Sequence, residues 1–227
     1  MRDDRYSSIV PATYHLASGH AEQALAAAAE AAAFSRYDTN DKLNLESKEG
    51  ALLLWMVAAQ DLEANGKAMP IPSPAQLEAL QQPKSDIGHI ARGRWLWTQG
   101  KSKDAQTQLR LALAQSRQNG HPSTMLRSSE ALIELLLQRG DRAAAEQVLA
   151  ELRAHDPERL GRDYRANLLG LRVALALGQR HGIEAAYQRT AALAGERTLP
   201  AQVLVMYRAN RRSVEERKHR EHTASRF

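Results

Sequence analysis

The feature that most constrains this chain is a six-residue pattern that occurs three times. Gly19-His20-Ala21-Glu22-Gln23-Ala24, Gly100-Lys101-Ser102-Lys103-Asp104-Ala105 and Gly140-Asp141-Arg142-Ala143-Ala144-Ala145 each place a Gly, four residues, then an Ala. Each Gly follows one apolar helical run and precedes another. Glycine at such a point ends a helix in a left-handed conformation that other residues adopt only at a cost. The small alanine five residues on lets the second helix approach the first closely. The register continues, because Ala24/Ala28/Ala31, Ala105/Leu109/Ala112 and Ala145/Leu149/Leu152 fall at offsets of 0, 4 and 7, which is one face of a helix. Gly140 stands 40 residues after Gly100, Gly178 another 38 on, and Gly19 precedes Gly100 by 81, about two periods. A period near 40 in a helical sequence predicts a solenoid of helix pairs, each burying its apolar face against the next.

Composition supports helices throughout. Ala and Leu dominate the apolar share, whereas Phe occurs twice and Val, Ile and Thr are sparse. No stretch shows strand-like alternation bounded by turn residues. The absence of cysteine excludes disulfides, thiolate zinc sites, iron–sulfur clusters and cysteine nucleophiles. The longest apolar run, Ala51 to Ala59, is nine residues, far short of the roughly 20 needed to span a bilayer. Met1-Arg2-Asp3-Asp4-Arg5 leads into no apolar stretch of a secretory signal. The expectation is therefore a soluble, cytoplasmic chain without membrane insertion. The alternative is the soluble periplasmic domain of a longer membrane-anchored regulator.

Read along the chain, a first partial helix enters at Pro11 and ends near Ser18. A second runs from about His20 to Ser35, and a long one from Asp41 to Ala64. Residues 66–74 form an internal break, in which Ser73 is a predicted cap and Pro74 the first helical residue of a short helix to Gln82. Helix pairs follow at 86–99/102–118, 123–139/141–154 and 157–177/183–194. A last helix begins near Pro200 and turns wholly polar after Asn210.

The Gly between paired helices and the Ala five residues later resemble the tetratricopeptide family, over about two thirds of the chain and most clearly over 86–155. The period departs from that family's basic 34 residues. It resembles the longer-helix variant found in bacterial regulators and signalling proteins, and HEAT-like pairs share such periods. The resemblance implies a single all-α domain over 1–227, a solenoid of antiparallel helix pairs wound as a superhelix. Its repeats are 86–119, 123–155 and 157–195, closed by a capping helix at 200–222.

Several motifs invite chemistry and do not support it. Gly100-Lys101-Ser102 would need a Gly at position 95, where Trp95 stands, and a preceding strand to form a phosphate loop; a helix stop with Ser102 as cap is the expectation. Glu216-Arg217-Lys218-His219 has the spacing of half a di-iron motif, but the second half and its partner carboxylates are missing. The remaining histidines are scattered, and no Gly-x-Ser-x-Gly elbow or His-Glu-x-x-His helix occurs. The chain is thus expected to be non-catalytic and to need no cofactor or metal.

Alignment on the glycines locates a partner surface. Five before each Gly stand Trp95, Leu135 and Val173, and nine before it Ala91, Ala131 and Leu169, all apolar and expected in the core. Six before it stand Arg94, Glu134 and Arg172, and thirteen before it Ile87, Arg127 and Arg165, which share one stripe. In the family resembled, the first helix of each pair lines a concave groove. By that resemblance Arg94, Trp97, Arg127, Glu134, Arg165 and Arg172 line a groove suited to another protein or a peptide bearing acidic groups. The alternative partner is nucleic acid. From Arg208 onward the tail holds seven Arg or Lys against three Glu, whereas the rest of the chain is nearly neutral.

Overall fold

The computed structural model describes residues 9–34, 41–178, 180–195 and 199–224, and these are all-α without a strand. Contacts gather into two units, Met1–Leu135 and Leu136–Phe227, with the division inside one helix. Unit 1 contains α1 (Ile9–Ala17), α2 (Ala21–Phe34), α3 (Asp41–Ala64), α4 (Pro74–Gln81), α5 (Asp86–Thr98), α6 (Ser102–Gln118) and most of α7 (Pro122–Gln138). Here α2 packs on α1 and α3, α3 on α5, and α5 on α4 and α6. Unit 2 contains α8 (Arg142–His155), α9 (Pro157–Arg162), α10 (Tyr164–Leu177), α11 (Arg180–Ala194) and α12 (Ala201–Ala224). At its centre, α10 packs on α8, α9, α11 and α12.

Glycine closes the helices as the sequence predicts, and at more places. Gly19, Gly100, Gly140 and Gly178 have φ of 74°, 71°, 76° and 65°, and Gly66, Gly120 and Gly195 adopt the same hand. At Gly100 the glycine N–H donates to Trp97 O and the Lys101 N–H to Leu96 O; at Gly140 the donors are Gly140 and Asp141, to Leu137 O and Leu136 O. These paired bonds satisfy carbonyls that a helix end otherwise leaves open. Gly66 supplies the glycine that sequence alignment skipped between Gly19 and Gly100. The nine register positions in α2, α6 and α8 are all buried. Gly93, on α5, carries the close approach from the other side. A Cβ there would lie 2.7 Å from Leu109 Cγ and 3.3 Å from Ala105 O.

A β-branched residue at Gly140 would be forced into the left-handed region, while the space around its Cβ is open. Gly140→Val is therefore expected to cost roughly 1–2 kcal/mol through the backbone alone. Urea denaturation checks this, and an unchanged midpoint would refute the helix-stop role.

Three local expectations are corrected. Ser102 is not the cap of α6 but its first helical residue. The left-handed glycine hands the cap position to the next residue, which is Lys101 and offers no acceptor. Asp141, in the same place before α8, does cap, accepting from Ala144 N at 3.3 Å. The expected helix over 157–177 is broken into α9 and α10. Asp163 leaves helical geometry to cap α10 through Ala166 N. Buried Asn167 then donates to the freed carbonyls of Leu160, Gly161 and Asp163. Trp95, aligned with buried Leu135 and Val173, is only half-buried, because a large indole rarely fits wholly inside.

Ser73 caps α4 as predicted, with Pro74 opening the helix and Gln76 completing a reciprocal capping box. The apolar run from Ala51 becomes the most buried part of α3. No helix among the described residues is long and apolar enough to cross a membrane.

Candidate functional site

Of the residues aligned on the proposed stripe, the structure brings Arg94 and Glu134 together. Arg94 lies on α5 and is only 9% exposed. Its Nη2 donates to Glu134 Oε2 on α7 at 3.3 Å, and its Nη1 donates to Gln60 Oε1 on α3 at 2.6 Å. Gln60 stands six residues before Gly66, as Arg94 does before Gly100 and Glu134 before Gly140. Thus the same register position on α3, α5 and α7 forms one side-chain ladder. Arg94, expected to face a partner, instead spends its two terminal nitrogens inside the protein. Its buried Nε meets no hydrogen-bond acceptor. Gln60 escaped the sequence alignment because Gly66 was not counted as a repeat glycine; counting it would have placed Gln60 directly.

The other four residues differ in accessibility. Trp97 on α5 and Arg127 on α7 are half-buried and are engaged with neighbouring groups. In unit 2, Arg165 is exposed in the first turn of α10, and Arg172 is half-buried seven residues later on the same stripe.

A second polar cluster, at the head of α5, was not anticipated. Glu49 on α3 is 3% exposed, and its carboxylate accepts from Lys84 N at 2.7 Å and from the Ser85 hydroxyl. Ser85 caps α5, accepting from Gly88 N at 3.2 Å. A carboxylate near a helix N-terminus is favoured by the helix dipole. Gly88 leaves room for it, since a Cβ there would fall 2.3 Å from Glu49 Oε1. Beside it, buried Asp86 accepts from Ile87 N and meets Nδ1 of His121 at 3.0 Å, tying the start of α5 to the turn before α7. Sequence signals existed in Ser85-Asp86 followed by Gly88, a helix start with a small third residue. Glu49 lay in a segment with no pattern to mark its direction.

In unit 2, α12 is fixed by Tyr207, whose ring stacks on Tyr187 with centroids 3.9 Å apart. Its hydroxyl donates to Glu184 Oε2 at 2.6 Å. That bond holds the exposed Glu184 carboxyl below its ordinary value, while burial, and then Glu184, push the Tyr207 phenol above its own. Farther along α12, Arg211 pairs with Glu215 at 3.5 Å. The side chains of Arg217, Lys218, His219, Arg220 and His222, and all of Arg226, lie outside the described residues. No protein family, curated protein or solved structure matches the chain.

Proposed function

We propose that this chain is a non-catalytic interaction scaffold, a tetratricopeptide-like array of helix pairs over 1–227 that binds another protein or an acidic peptide. The observation that carries this reading is the Gln60–Arg94–Glu134 ladder. Residues at one register position of successive first helices meet each other, which is what stacked equivalent repeats do. Arg94 and Glu134 then hold neighbouring helices in register, and the partner contacts fall to Trp97, Arg127, Arg165 and Arg172. Arginine and tryptophan are effective anchors for acidic and apolar groups. Exposed Arg165 supports this assignment. A place in the sensory or regulatory part of a bacterial signalling or transcription protein rests on the family resemblance, as does a cytoplasmic setting.

The test separates the stripe from the tail. Arg127→Glu together with Arg165→Glu should weaken capture of an acidic peptide by about 2–5 kcal/mol, the range for losing paired, desolvated charges. Deletion after Asn210 should change it little. A nucleic-acid binder would behave oppositely. Deletion would abolish binding, and contacts to about four to six phosphates would give a log–log salt slope of roughly −4 to −5. Binding that survives both changes would reject the stripe.

A further inference from the structure

Among the described residues six large apolar side chains are exposed, and four of them lie on the first and last described helices. On α1, Ala12 is buried, while Val10 is 61% and Tyr14 65% exposed. Ala17 is exposed too, so Val10, Tyr14 and Ala17, at offsets of 0, 4 and 7, make one open apolar stripe. On α12, Val203 and Tyr207 join the buried cluster of Leu171, Leu175 and Ile183. Away from that cluster Val205 and Met206 are exposed, with exposed Ala209 one turn after Val205. Apolar residues exposed singly are ordinary, but the outer helices of a repeat array normally turn a polar face to water. The two helix ends also differ in charge. α1 and α2 contain Glu22 and Glu30 and no Lys or Arg, whereas α12 contains six Arg or Lys against three Glu.

We propose that these two faces are halves of one interface, in which α1 of one copy of the chain docks on α12 of a second copy, head to tail. Each apolar stripe then covers the other, and the acidic first pair meets the basic last helix. Pairing α12 with α12 would instead bring two basic helices together, at an electrostatic cost. A head-to-tail contact is heterologous. Each joined pair still offers one open α1 and one open α12, so association closes as a ring or continues as a chain. With nine residues α1 is about 14 Å long, so the contact stays below roughly 1,200 Å2 and is weak and reversible. The interface uses none of the residues of the proposed partner stripe and does not depend on that reading.

Sedimentation equilibrium of the full chain, across roughly 10 µM to 500 µM, reads this association. The weight-average mass should rise with concentration above the 25.2 kDa of a single chain. Tyr14→Lys turns a cation toward the basic α12, and Val205→Glu turns an anion toward the acidic first pair. Each should weaken association about tenfold or more. Both should leave thermal stability unchanged, because both positions are exposed. The decisive measurement mixes the two variants. The first supplies an intact α12 and the second an intact α1, so the equimolar mixture should recover the association that neither variant shows alone. A wild-type mass that stays at 25.2 kDa overturns the interface. Association that persists in either variant alone also overturns it, since like helices would then pair through the untouched end. So does a mixture that remains monomeric.

Discussion

Glu49→Ala is expected to destabilise unit 1 by about 2–3 kcal/mol. The carboxylate is buried and accepts from the Lys84 N–H and the Ser85 hydroxyl at the head of α5. Hydrogen bonds to a charged group contribute roughly 1.5–3 kcal/mol each, partly offset by the desolvation that the alanine relieves. Gly88→Ala approaches the same site from the other side. Its methyl would stand 2.3 Å from Oε1, so the carboxylate must leave its donors. Alone, the alanine should therefore cost about 1–2 kcal/mol despite its better helix propensity. In the Glu49→Ala background the clash is gone, and the same substitution should become stabilising by up to about 1 kcal/mol. This change of sign is measured by urea denaturation of the two single variants and the double variant at constant slope. Additive losses would show that Gly88 and Glu49 do not share one space.

The local elements were legible in the sequence wherever a single residue type dictates backbone geometry. Gly100 and Gly140 read as helix stops because only glycine sits easily at φ of 71° and 76°. Ser73-Pro74 read as a helix start because capping and a fixed φ act within four residues. The long helix Asp41–Ala64 and the pairing of α5 with α6 followed from periodicity and short connections. Legibility failed where a choice depended on neighbours distant in the chain. Asp163 and Asn167 are both polar residues inside a helical pattern, and their role in breaking it shows only once Asn167 reaches the carbonyls of α9. Along the expected partner stripe, the structure joins Arg94 and Glu134 at one register position. Arg94, six before its glycine, faces the next helix closely enough to bond there and is enclosed, whereas Arg165, thirteen before its own, is exposed. Charge and spacing alone do not distinguish Arg94 from Arg172, which also stands six before its glycine and is only half-buried.

Arg94 consequently separates structural from partner-binding roles along that stripe. Removing one member of a buried pair leaves its counterpart uncompensated, with typical costs of 3–5 kcal/mol. Arg94→Ala is expected near the lower end, about 3 kcal/mol, because the Glu134 side chain keeps a quarter of its surface in water. Arg94→Met should lose less, since the thioether refills the volume of the aliphatic stem. Glu134→Ala leaves Arg94 bonded to Gln60 and should cost less than Arg94→Ala, and the double variant should recover part of the sum. Chemical denaturation of all four proteins gives the coupling, expected at about 1–2 kcal/mol. Arg165→Glu, at an exposed position, should by contrast shift stability by no more than about 0.5 kcal/mol while altering acidic-peptide binding. If Arg94→Ala instead unfolds like the wild type and loses peptide affinity, the ladder does not hold the helices in register. Arg94 would then belong to the binding surface, and the physical distinction drawn between it and Arg165 would fail.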